Sequence, residues 1–68
     1  MSKRISSDVF LGILTANGFQ FVSQRGSHAK YRDALGHTVI VPHPRKDIPI
    51  GTLRSMIRQC GLPREFFD

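Results

Sequence analysis

Histidine changes charge near neutral pH, with an unperturbed pKa of about 6.5, and this chain has three: His28, His37 and His43. His28 stands in the run Gly26-Ser27-His28-Ala29-Lys30-Tyr31-Arg32. A β-strand sends successive side chains to opposite faces. If residues 28–32 form a strand, His28, Lys30 and Arg32 share one face. Ala29 and Tyr31, a small residue and an aromatic, point to the other, as a packed face requires. The free face then carries an imidazole flanked by two cations.

That set suits RNA cleavage without a metal. The ribose 2′-OH attacks its own phosphodiester, so a base must take the hydroxyl proton and an acid must protonate the leaving 5′ oxygen. Cations or amides must stabilise the charge that develops on the phosphorane-like transition state. His28 is the candidate for proton transfer, and Lys30 and Arg32 for phosphate contact. Gly26 allows close backbone approach, and Ser27 offers a hydroxyl and an amide. The plainer reading of the same residues is an exposed histidine on a basic strand that binds nucleic acid without catalysis.

The remaining candidates are weaker. His37 follows Gly36 in an expected hairpin and reads as a solvated turn residue. His43 sits in Pro42-His43-Pro44 at the end of an expected strand, as a second proton-transfer group or a substrate contact. Its distance from His28 depends on strand register, which the sequence leaves open. The three histidines lack i, i+4 spacing and nearby carboxylates, so neither a metal site nor a cofactor is expected. Arg54 and Arg58 lie one turn apart on an expected helix, as a solvated face or an anion contact. Cys60 reads as a core residue.

Composition limits what these residues can serve. A chain of 68 residues holds one domain, 1–68, with a thin core. A deep cofactor pocket is not expected, and a shallow site suits a polymer substrate. Ten Lys and Arg against five Asp and Glu give net +5, which favours an anionic partner such as nucleic acid. The single cysteine excludes an intrachain disulfide and fits a reducing compartment. The basic start Met1-Ser2-Lys3-Arg4 is followed by no signal-peptide apolar stretch, and no run is long enough to span a bilayer. A cytoplasmic protein with no membrane association is expected.

The elements that must position the site follow from patterning. Ser7 to Ala16 reads as a helix capped by Ser6 or Ser7, with Val9, Phe10, Ile13 and Leu14 as its apolar stripe and Ile5 folding back as a staple. Asn17-Gly18 stops it. Phe19 to Gln24, His28 to Arg32 and Thr38 to Val41 read as strands, with Pro42 ending the third. Gly51 to Cys60 reads as a second helix, buried through Leu53, Met56, Ile57 and Cys60. Phe66 and Phe67 form an expected last turn over the core. The order α-β-β-β-α implies an α+β fold: a three-stranded antiparallel sheet with both helices on one face and the other open.

The chain also resembles the HicA toxins of bacterial and archaeal toxin–antitoxin pairs, over almost its whole length. The resemblance rests on Asn17-Gly18-Phe19, on Arg25 through Arg32, and on Gly36. It continues through the strand end Val39-Ile40-Val41-Pro42-His43 and the stretch Gly51 through Leu62. It implies a double-stranded-RNA-binding-domain-like fold and an mRNA interferase that cleaves RNA and blocks translation. His28, as the histidine of the Gly-Ser-His motif, would be catalytic. It further implies a HicB-type antitoxin as partner. Many members carry a second histidine or a small polar pair after the proline–histidine; here Pro44-Arg45 follow His43.

Overall fold

The computed structural model describes residues 4–68; the basic start Met1-Ser2-Lys3 lies outside them. Helix α1 spans Ser7–Ala16. Ser6 adopts extended backbone before it, and its hydroxyl accepts from the Val9 N–H at 3.2 Å, which satisfies one free amide of the first turn. At the other end Gly18 takes φ 89. Phe19 N–H then donates to Leu14 O at 3.0 Å and Gly18 N–H to Thr15 O at 3.3 Å, the paired bonds of a Schellman ending.

Strand β1 is Gln20–Arg25, β2 His28–Arg32 and β3 Thr38–Pro42, in the antiparallel order β1-β2-β3. Helix α2, Ile50–Cys60, follows, and a 3-10 turn, Arg64–Phe67, closes the described chain. The α+β fold, α-β-β-β-α with a three-stranded sheet, is therefore the one expected from patterning. No helix among the described residues is long and apolar enough to cross a membrane.

The core lies between the sheet and the helices. In β2 and β3 the buried residues are Ala29, Val39 and Val41, and register pairs Ala29 with Val41 and Tyr31 with Val39. All four expected stripe residues of α2, Leu53, Met56, Ile57 and Cys60, are buried against them. From α1, Phe10 and Leu14 are fully buried and Ile13 is partly so. Val9 is 53% exposed: Phe10 and Leu14, four apart, already define the inward face, and Val9 falls beside it. Of the terminal aromatics, Phe67 stacks on Phe10 at 4.7 Å while Phe66 remains exposed.

β1 departs from simple alternation. Phe19 is buried just before the strand, but Phe21 is 57% exposed, with its ring edge to face against Tyr31 at 5.8 Å. The register shifts between Phe21 and Ser23, so Val22 is the extra residue of a bulge. β1 is an edge strand lying beyond the helices' cover. Pro42 belongs to β3 rather than following it. Because His43 N–H bonds Ser27 O at 2.8 Å, Pro42 occupies the alternate, non-bonded position. Its nitrogen faces away from β2, where an edge strand tolerates proline.

Candidate functional site on the open sheet face

The β1–β2 connection is only two residues long, since Arg25 pairs with His28. Gly26 takes φ 54, while no described non-glycine residue has positive φ. Positive φ at the first turn position alone is the pattern of a type II′ hairpin, whose twist matches the strands it joins. Gly26 thus supplies a backbone conformation that side-chain-bearing residues rarely adopt, and it fixes His28 as the first residue of β2.

From that start the alternation runs as expected. Ala29 is buried and Tyr31 packs against the core, so His28, Lys30 and Arg32 project from the opposite face. His28 and Arg32 are exposed and Lys30 is half-buried. Register adds a residue that the sequence reading did not single out. Arg25, directly opposite His28, shares its face, as does Ser23 opposite Lys30. The two-residue Gly-Ser turn is the signal that could have placed Arg25 there. Arg25, Lys30 and Arg32 form no salt bridge with a carboxylate among the described residues. The face therefore presents one imidazole among three uncompensated cations, on a surface rather than in a cavity.

His43 stands at the same end of the sheet as His28 but on the other face. It follows outward-facing Pro42, and its Nδ1 lies 2.8 Å from the hydroxyl of Ser7 at the start of α1. The nearer Asp8 carboxylate oxygen is 3.8 Å from the same nitrogen. Ser7 is buried and also accepts from Arg45 N–H at 2.8 Å. The backbone of His43 does face the hairpin: its N–H donates to Ser27 O, and its carbonyl accepts from Gln24 Nε2 at 3.0 Å.

His37 is not the free turn residue expected. Contrary to the expectation of no carboxylate near a histidine, its Nδ1 bonds the Asp33 carboxylate at 2.8 Å, and its ring lies against Gly61, where a Cβ would meet Nε2 at 2.8 Å. Desolvation raises the Asp33 pKa. The bonds from His37 and Leu35 together outweigh it and hold the carboxyl below its ordinary 3.8. Cys60 is buried in the core, as expected, and burial pushes its thiol up. Among the described residues no three His, Cys, Asp or Glu side chains cluster to hold a metal.

Arg54, Arg58 and Arg64 rim a groove of ≈ 450 Å³ floored by Ile57 and Leu62. It lies on the helix side of the sheet, away from His28. No curated protein matches the chain. The family model described as the HicA toxin of bacterial toxin–antitoxin matches it over residues 9–62.

Proposed function

The chain belongs to the HicA toxin family of bacterial toxin–antitoxin pairs, and from that premise we propose that it is an endoribonuclease acting through the open sheet face. As a toxin of such a pair it has an antitoxin partner. The observation that carries the nuclease reading is the placement of His28 among Arg25, Lys30 and Arg32 on a face that no described helix covers.

The chemistry divides among these residues. The RNA 2′-oxygen forms a bond to phosphorus and the bond to the 5′ oxygen breaks. This leaves a cyclic phosphate on one product and a 5′-hydroxyl on the other. His28 is the proton-transfer group, as base for the 2′-OH or acid for the 5′ oxygen. Lys30, Arg32 and Arg25 hold the phosphodiester and neutralise charge building on it. Gly26 lets the backbone come close to the phosphate, and Ser27 contributes its hydroxyl and amide. The step needs no metal or cofactor. An open face accepts a polymer anywhere along its length, which a closed pocket would not. We further propose that the substrate is mRNA, that cleavage stops translation in the cytoplasm, and that the partner is of HicB type and covers this face.

A second reading has one observation in its favour. His43, the other histidine at this end of the sheet, faces the helices, so His28 has no second imidazole beside it. A basic sheet without a second proton carrier also describes an RNA-binding module. Incubation of the purified protein with end-labelled RNA in EDTA separates the two. Cleavage leaving a cyclic phosphate supports the metal-free nuclease. Retention of RNA without cleavage, with or without added divalent metal, supports the binding module.

A further inference from the structure

The hairpin that carries His28 is short, exposed and at the edge of the sheet, yet a specific set of bonds ties it down. Gln24 lies opposite Ala29, so its side chain leaves the strand on the helix side, behind the turn. Its amide nitrogen donates to two carbonyls, Gly26 O at 3.0 Å and His43 O at 3.0 Å. A side-chain amide has two N–H donors, and both are used. One holds the turn itself; the other holds the chain just past β3.

That second anchor is itself fixed. His43 N–H donates to Ser27 O at 2.8 Å, so the turn is gripped at both of its residues. The His43 ring is braced by the Ser7 hydroxyl, and Ser7 in turn exchanges bonds with Arg45: its N–H donates to Arg45 O at 2.8 Å and its hydroxyl accepts from Arg45 N–H. The bonds form a strut from the first turn of α1, through the loop after β3, to the Gly26-Ser27 turn. Its far end is one residue from His28.

We infer that Gln24 and His43 are the positioning residues of the site, acting through the turn to fix where the Gly26 and Ser27 amides and the His28 imidazole stand. The inference rests on the nuclease reading of His28. It gives His43 a role behind the sheet, and it gives a function to Gln24, whose side chain leaves on the face opposite His28. Placement of a reacting group is sensitive: an error near 1 Å can cost about 10²-fold in rate. Most of the substrate affinity comes from the side chains of Arg25, Lys30 and Arg32, which the strut does not hold, so KM changes less than kcat.

The test uses Gln24→Ala and Gln24→Glu, with kcat and KM measured on one RNA oligonucleotide and amide order parameters measured by NMR. Glutamate fills the same space but can only accept, so it faces two carbonyls without a proton to offer. The expected order of kcat is Gln, then Ala, then Glu, with a loss of roughly 10-fold or more for Glu and KM within about twofold. The Gly26, Ser27 and His28 amides should loosen from an order parameter near 0.85 toward about 0.6. His43→Ala should loosen the same three amides. A Gln24→Glu variant with wild-type kcat and unchanged order parameters would overturn the inference. So would a kcat loss that only follows the loss of folded protein on thermal unfolding. If the wild-type protein cleaves no RNA, the nuclease reading fails by itself, and the order parameters still decide whether the strut holds the turn.

Discussion

At the scale of single residues, the outward side chains of β2 separate two jobs that are easily confused. In the proposed reaction His28 moves a proton, whereas Lys30 and Arg32 hold phosphate. Removing a phosphate contact weakens binding across all RNA sequences, and it flattens the salt dependence because fewer counterions are released. Lys30→Ala and Arg32→Ala should each reduce the slope of log affinity against log salt by about 0.7 to 1, measured by titration with a short RNA. A slope equal to wild type would remove that residue from the interface. The outward trio was legible in the sequence because a period of two, with Ala29 and Tyr31 between the charged residues, has only one packed solution. Arg25 was harder to see. Its place follows from register, which the two-residue turn sets. His43 was legible as a candidate but not its direction, because its ring is claimed by Ser7, 36 residues earlier in the chain.

At the scale of elements, the turns and caps decide whether the face is presented at all. The β2–β3 hairpin and the end of α2 are joined by His37, held by Asp33 on one side and resting on Gly61 on the other. Gly61 takes φ 72 at the end of α2, a conformation that costs other residues about 1–2 kcal/mol, and an added Cβ would press on the His37 ring. Gly61→Ala should therefore lower Tm by roughly 4–8 °C or more, read by thermal unfolding; an unchanged Tm would mean that the ring moves aside freely. Asp33 makes the same junction pH-dependent. Its folded pKa is depressed, so its contribution is fully present above the ordinary 3.8 and disappears as pH falls through the lower folded value. Asp33→Asn should lower stability at neutral pH and flatten the acid limb of a stability–pH curve; an unaltered acid limb would count against this pairing. The α2 stripe was readable because its four apolar positions recur with helical period. The junction was not: glycine and histidine in a turn look solvent-facing until the helix end arrives beside them.

At the scale of the whole molecule, 18 Å through its thinnest axis, there is room for two layers and little more. One face of the sheet is committed to the helices, leaving the other as the broad, flat surface. The net charge of +5 then has a structural counterpart in three cations around one imidazole, the face that the proposed reading gives to RNA and to the antitoxin. In the proposed reaction His28 transfers a proton during RNA cleavage. The most direct measurement is the single-turnover cleavage rate of His28→Ala against wild type in EDTA, with folding checked by NMR. The expected result is a folded variant that still binds RNA and cleaves it about 10²–10⁴-fold more slowly. A folded variant cleaving at the wild-type rate would contradict it.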